Sequence, residues 1–278
     1  MKKRIIFTGL IIFVILVVFA VKEFCFIAKT PTSDARALEL GYLIPIISQE
    51  KLLEYAHIEV PSAENIKIES ENNKQYLALR VYQGQELKSG GVRAEVSVDY
   101  PYKEGEAVRY SWQVRIPENF QSDAPKNRWW LMGQWHDQPD PRKGETWEMF
   151  PRNSPLVAVG YAMVDGQDVF GLIHEHGQKD FITTSVTRGV WHTIAIEIVW
   201  SQGDDGRVRM FFDDITHPVA EYTGKNMLNA YQHYLKVGLY RHNEITADST
   251  IHIRDISITK KKVSGTFLPV YQRISNNR

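Results

Sequence analysis

The sequence predicts an all-β fold, a sandwich of two antiparallel sheets with the character of a jelly roll. Three observations carry this. From Ile66 onward apolar and polar residues alternate. In Ala107–Ile116, for example, Val108, Tyr110, Trp112, Val114 and Ile116 are interleaved with Arg109, Ser111, Gln113 and Arg115, the pattern of a strand with one face buried. Runs of this kind recur along the chain, separated by turn-forming clusters such as Gly90-Gly91, Pro139–Pro141 and Gly203–Gly206, which end one strand and start the next. No helical stretch of useful length intervenes. That removes the βαβ architectures, and ten or more antiparallel strands in one domain close most readily as two packed sheets.

The elements follow in order. Lys2, Lys3 and Arg4 precede an uncharged run from Ile5 to Val21 that ends at Lys22 and Glu23. A basic end followed by an apolar core over 1–28 reads as an export signal or a single signal anchor, with cleavage after Val18-Phe19-Ala20 left open. The rest of the chain then crosses the membrane and is periplasmic, secreted or tethered by that one segment, its only membrane contact. Cys25 lacks the small apolar residues that lipoprotein processing needs, because Lys22-Glu23-Phe24 precede it. Residues 29–63, with Pro31, Pro45 and Pro61, read as a linker and lead-in, with a short helix over Ser48–Glu59. The sandwich spans 64–262, with strands at Gln75–Tyr82, Val92–Tyr100, Ala107–Ile116, Arg128–His136, Leu156–Val164, Asp168–His174, Trp191–Trp200, Arg207–Asp213, Tyr234–Arg241 and Thr250–Thr259. Residues 263–278 read as a surface strap or frayed tail.

Composition narrows the function classes. The chain has 278 residues, 43% hydrophobic and 24% charged, which excludes a disordered tail protein and a polytopic membrane protein. It carries 33 basic and 33 acidic residues, and this balance argues against a nucleic-acid partner, which needs a concentrated basic face. The three basic residues of positions 1–20 belong to the export segment, so the exported body keeps 30 basic against 33 acidic groups. With one Cys no disulfide can form within the chain, so core packing alone must hold the fold outside the cytoplasm. Nothing in the composition speaks to oligomeric state.

Candidate site residues appear where a strand keeps polar groups at alternate positions opposite an apolar face. In Val92–Val98, Arg93, Glu95 and Ser97 share the polar side. In Met132–His136, Gln134 and His136 point the same way, and by the same alternation Trp130 joins them, which makes it a candidate for stacking on sugar. In Tyr234–Tyr240, the residues Tyr234, Lys236, Gly238 and Tyr240 lie opposite Leu235, Val237 and Leu239. Glycine inside a strand needs a reason, either close approach of a ligand or a bulge. Arg241 follows directly, and His242 lies on the Tyr240 face. Other clusters are weaker. His174-Glu175-His176 offers two ligands where a zinc site needs at least three. Asp204-Asp205-Gly206 and Asp213-Asp214 read as turns, which could hold a structural Ca²⁺ although no spacing supports one. No cofactor is therefore expected.

Arg93-x-Glu95, Gln134-x-His136 and Tyr234-x-Lys236-x-Gly238-x-Tyr240, in this order, resemble the signatures of the jelly-roll polysaccharide lyases: alginate lyases, glucuronan lyases and heparin lyase I. Gly189–His192 and Gly206–Asp213 are similar to back-sheet strands of concanavalin-like domains. After Tyr240, Arg241-His242 stands where alginate lyases usually carry Asn-Gln, which makes the glucuronan- and heparin-lyase-like relatives the nearer match. The resemblance implies an anionic polysaccharide partner and β-elimination at a uronic acid. That reaction has three tasks: neutralising the carboxylate, removing the C5 proton and protonating the leaving O4. Gln134 and Arg93 suit the first task, with Glu95 able to orient Arg93. His136 suits the second. Tyr240, close to Lys236, suits the third. Where the C5 proton and O4 leave from the same side it could serve as base and acid in turn, with His136 helping at the carboxylate. Where they leave from opposite sides, His136 and Tyr240 would share the two proton transfers. Tyr234, Gly238, Arg241, His242 and Trp130 would line the sugar site.

Two other classes are weaker fits. A sandwich glycoside hydrolase needs paired carboxylates about 5 to 9 Å apart, and the Glu-x-Asp-x-x-Glu run that such enzymes place on one strand is absent; Glu145 and Glu148 have odd spacing. A non-catalytic carbohydrate-binding module would keep the fold and the aromatics but has no use for Lys236, Gly238 and Tyr240 together.

Overall fold

The protein is described from a computed structural model, which places residues 56–99, 103–151, 154–174, 182–231, 233–261 and 267–269. The export segment over 1–28, Cys25, most of the lead-in, the Glu175-His176 half of the histidine cluster and most of the tail lie outside the described residues.

Two antiparallel sheets form the sandwich. The first contains β1 (His57–Glu59), β4 (Val92–Asp99), β6 (Trp130–His136), β7 (Val157–Val164), β8 (Gln167–His174), β9 (Ile182–Ser185) and β13 (Tyr234–Arg241), in the order β1-β4-β13-β6-β7-β8-β9. The second contains β2 (Ile66–Glu71), β3 (Lys74–Val81), β5 (Ala107–Arg115), β10 (His192–Val199), β11 (Arg207–Phe212), β12 (Ala220–Thr223) and β14 (Ser249–Lys261), in the order β12-β11-β10-β5-β14-β3-β2, with β15 (Phe267–Pro269) on β14. Consecutive strands repeatedly cross from one sheet to the other, which is the jelly-roll wiring. Every run expected as a strand forms one. Five further strands form: β2, where the period-two pattern begins at Ile66 without marking out a strand range, and the short β1, β9, β12 and β15, whose three or four residues are too few to establish a period. His57–Glu59, expected at the end of a helix, is instead an edge strand paired with Ser97, Val96 and Glu95 of β4.

Between the sheets lies one continuous core. The alternating apolar residues of β5 (Tyr110, Trp112, Val114) meet those of β4, β6 and β13 (Val96, Trp135, Leu235, Val237, Leu239), all essentially without solvent exposure. The aromatic excess is mostly spent here. Tyr110 and Trp135 pack edge to face at 5.2 Å, and Trp112 tilts against Trp135 at 6.3 Å, arrangements that suit the ring quadrupoles.

Two irregularities decide which side chains reach the site. The β6–β7 register shifts between Leu131 and Gly133. This bulge puts two consecutive pairs out of step, so Trp130 and Met132 turn into the core along with Trp135. The expectation for Trp130 is thereby corrected: it is 2% exposed and packs on Phe120 and Tyr161. The second irregularity is in β13, between Val237 and Tyr240 against β6. Gly238 sits there at φ +151°, and a Cβ at this position would run into the Ala94 carbonyl and lie 2.7 Å from Glu95 Cα. Gly238 is thus a bulge residue pressed against β4 and does not open a ligand slot. Gly238→Ala is expected to destabilise the fold by about 1–3 kcal/mol through overpacking and backbone strain, read as a lower urea midpoint with unchanged slope.

Candidate active site

The face of the first sheet that points away from the core carries the polar alternation of β4, β13 and β6, and register brings these strands together in rows. Tyr234 of β13 stands opposite His136 of β6, Lys236 stands between Gln134 of β6 and Ser97 of β4, Gly238 opposite Glu95, and Tyr240 opposite Arg93. Edge strand β1 adds Glu59 beside Glu95. A cavity of about 590 Å³ opens over this face, lined by Glu59, Ser89, Arg93, His136, Trp147, Phe150, Pro151, Ser154, Tyr234 and Lys236. The sheet supplies the charged and titratable floor. The segment before β7 supplies the wall, including Trp147, which is 59% exposed.

Under the cavity lies a buried polar network. Gln134 Nε2 donates to Glu95 Oε1 at 2.6 Å, and Arg93 Nη1 donates to Glu95 Oε2 at 3.2 Å. Gln134 and Glu95 come from the strands on either side of β13, and Gly238 puts no side chain between them. Burial pushes the Glu95 carboxyl up, and Lys236, Arg93 and the Gln134 amide oppose that shift. Neither Glu95 nor Gln134 has accessible surface. The expectation that Gln134 meets the substrate carboxylate and that Glu95 joins in binding substrate is corrected, whereas Glu95 does orient Arg93 as expected: the two hold Arg93 and each other. At the floor itself, Lys236 Nζ donates to Glu59 Oε2 at 2.8 Å, and Arg93 Nη1 lies 3.5 Å from the same oxygen.

His136 and Tyr234 form the reactive-looking pair. Their rings stack in parallel, 5.5 Å apart and 7° from coplanar, and Trp147 meets His136 edge-on at 5.9 Å. His136 Nδ1 lies 2.6 Å from the Asp137 carbonyl oxygen. A carbonyl can only accept, so Nδ1 carries the proton and Nε2 keeps the lone pair. Burial, and then the positive charge of Lys236, pull the His136 pKa down to about 4. The imidazole is therefore neutral at physiological pH.

Asp137 in turn is clamped. Its carboxylate accepts from the Leu228 amide at 2.7 Å and from Ser154 Oγ at 3.3 Å, and it pairs with His233 Nε2. The other His233 nitrogen faces the Tyr231 carbonyl at 2.8 Å. Both ring nitrogens thus meet acceptors, the Asp137 carboxylate at Nε2 and the Tyr231 carbonyl at Nδ1.

Three expected site residues lie elsewhere. Tyr240 does not line the cavity. It sits at the other end of β13, six residues and about 20 Å from Tyr234 along the strand, with Arg93 stacked 3.9 Å from its ring centre and Trp129 against its edge. His242 is half-buried beside the same Trp129. Arg241 falls on the core side of β13: it has no exposure, bonds the Ala247 carbonyl and stacks 5.3 Å from Trp130, and burial lowers its pKa to about 10. Arg241 therefore cannot reach sugar. His174, half of the histidine cluster, donates inward to the Lys225 carbonyl at 2.7 Å. Glu59 and the Asp137–His233 pair escaped the sequence reading. Glu59 sits on a three-residue strand, and His233 lies just outside β13, where alternation says nothing.

Comparison with known proteins bears on both fold and family. Residues 53–257 match the family model described as polysaccharide lyase. The fold is similar to that of an endo-β-1,4-glucuronan lyase from the fungus Trichoderma reesei, with 15% identity over 76% of this chain and 92% of that one, at a TM-score of 0.54. It is also similar to a marine alginate lyase from Zobellia galactanivorans, with 15% identity over 72% and 82% of the two chains, at a TM-score of 0.50. A family 131 glycoside hydrolase domain from Coprinopsis cinerea shares the fold too, with 10% identity over 76% and 84%, at 0.50. Shared architecture thus spans two chemistries, and function has to be argued from the site. By sequence, no curated protein matches the chain.

Proposed function

The chain belongs to the polysaccharide lyase family, and from that premise we propose that its cavity cleaves a uronate polymer by β-elimination, with His136 as base and Tyr234 as acid. The observation that carries this is the stacked His136–Tyr234 pair in one cavity with two cations, Lys236 and Arg93. The substrate carboxylate meets Lys236 and Arg93, which stabilises the enolate as C5 loses its proton; aimed charges of this kind contribute several kcal/mol to the transition state. His136 Nε2 takes the C5 proton, the electron pair forms the C4–C5 double bond, the C4–O4 bond breaks, and the Tyr234 hydroxyl protonates O4. Trp147 offers an exposed face to a neighbouring sugar ring. At a pKa of about 4 His136 is a weak base, so most of the acceleration falls to acidification of C5 by the cations.

Both reacting side chains rise from adjacent strands on the same face of the sheet, so they approach the ring from the same side. In glucuronate and mannuronate the C5 proton and O4 leave from one side; in guluronate and iduronate they leave from opposite sides. The arrangement suits the first pair, in keeping with a glucuronan lyase among the similar folds. The basic and then uncharged start, Lys2 to Val21, supports export to where such polymers occur. A binding module would have no need of an imidazole–phenol pair over two cations.

Ultraviolet absorbance of the C4–C5 double bond tests the reading. Glucuronan or polymannuronate should give product with the wild-type protein, and polyguluronate far less. Tyr234→Phe is expected to lower kcat by about a hundredfold or more, and Tyr240→Phe by less than about tenfold. The reverse order would move the acid to Tyr240, and selective cleavage of polyguluronate would overturn the same-side geometry.

A further inference from the structure

We propose that Glu59 sets the charge that the cavity accepts and restricts it to uronate rings that carry no sulfate, an inference that rests on the lyase reading above. Among the described residues, the charged groups lining the cavity are Glu59, Arg93 and Lys236, and His136 is neutral. Glu59 engages both cations, accepting from Lys236 Nζ at 2.8 Å and lying 3.5 Å from Arg93 Nη1. Both cations are nearly buried, at 4% and 6% side-chain exposure, and Glu59 is 16% exposed. Buried charge must be matched group by group. Arg93 also serves Glu95 beneath the floor, so little positive charge is left to spare.

With Glu59 in place the lining carries two cations and one anion. Glu95 draws on Arg93 from beneath, so one substrate carboxylate takes up the positive charge that the two cations have left. A sulfated uronate ring brings a second negative group that meets no further cation among the described residues of the lining and has Glu59 close by. Selectivity of this kind arises from an element that repels the wrong ligand as well as one that attracts the right one. The placement of Glu59 fits such a role: it comes from β1, an edge strand joined to β4 by three residue pairs, and it enters the cavity from outside the Arg-x-Glu, Gln-x-His and Tyr-x-Lys strands that perform the chemistry.

The test compares wild type, Glu59→Gln and Glu59→Asp on unsulfated glucuronan and hyaluronan and on sulfated heparan and chondroitin chains. Glutamine keeps the shape and can still accept from Lys236 but removes the charge. The ratio of kcat/KM for sulfated over unsulfated polymer is expected to rise at least tenfold in Glu59→Gln and to stay near the wild-type value in Glu59→Asp. A ratio unchanged within threefold in Glu59→Gln, or an equal loss on both polymers, overturns the proposal and leaves Glu59 a structural support. If the wild-type protein forms no double bond from any polymer, the lyase reading fails separately. Calorimetric dissociation constants for sulfated and unsulfated glucuronate disaccharides then decide: the same tenfold shift upholds the charge role, and no shift, or no binding, overturns it.

Discussion

His136→Ala is expected to lower kcat/KM for the elimination by about 10²–10⁴-fold, the usual contribution of a positioned acid–base group, with the fold retained because His136 lies at the cavity and not in the core between the sheets. The pH profile makes the assignment specific. A base must be neutral to act, and burial together with Lys236 holds His136 near 4 against about 6.5 for an ordinary histidine. The acid limb of kcat/KM, which reports the free enzyme, should therefore fall near pH 4 in the wild type. A limb near 6.5 would assign the proton transfer elsewhere. Lys236→Met removes the second cause of the depression and should move the limb upward, besides lowering kcat through lost carboxylate neutralisation. The same shift has a consequence for stability. Between pH 6.5 and 4 the unfolded chain takes up a proton on His136 that the folded chain refuses, so stability falls as pH drops through that window. His252, also held near 4 by burial and Arg115, adds to the fall.

The strands were legible because one face of each is buried and the other is wet, and that contrast imprints a period of two on the sequence. The same logic brought Arg93, Gln134, His136, Tyr234 and Lys236 to one face, and all five meet around or beneath one cavity. It failed at Trp130 because the bulge at Leu131–Gly133 reverses the alternation, and the one mark it leaves in residue type is Gly133. Arg241 was misplaced for a different reason. It follows the alternation strictly, on the side of Leu235, Val237 and Leu239, and only its charge suggested that it faced solvent. Alternation put Tyr234 and Tyr240 on one face without saying which of them stands beside His136, because it gives the face and not the register. Which end of β13 meets His136 is fixed by antiparallel pairing across strands about 100 residues apart in sequence, and that pairing places Tyr234 beside the imidazole. Glu59 lay beyond reach, since its strand has three residues and joins the site only through β4.

Asp137→Ala is expected to cost about 3–5 kcal/mol, because several buried hydrogen-bonding groups lose their acceptor at about 1–3 kcal/mol each. Asp137 is 1% and His233 0% exposed at the side chain. Without the carboxylate, the His233 ring loses the acceptor at Nε2, and the Leu228 amide and Ser154 hydroxyl each lose an acceptor as well. For a domain of this size the loss corresponds to a fall in Tm of about 10 °C, at about 2–4 °C per kcal/mol. The exposed pair Arg80–Asp248, at 48% and 53% side-chain exposure, supplies the contrast: Asp248→Ala should cost less than about 1 kcal/mol, because water already solvates both partners. Activity should separate the two variants further. The Asp137 main chain accepts the His136 Nδ1 proton, so the side-chain clamp holds the carbonyl that fixes the tautomer of the base. In Asp137→Ala, kcat should fall even at temperatures where the protein remains folded, with KM much less affected, whereas Asp248→Ala should leave both unchanged. A folded Asp137→Ala with wild-type kcat would show that the clamp supports the fold and has no part in orienting His136.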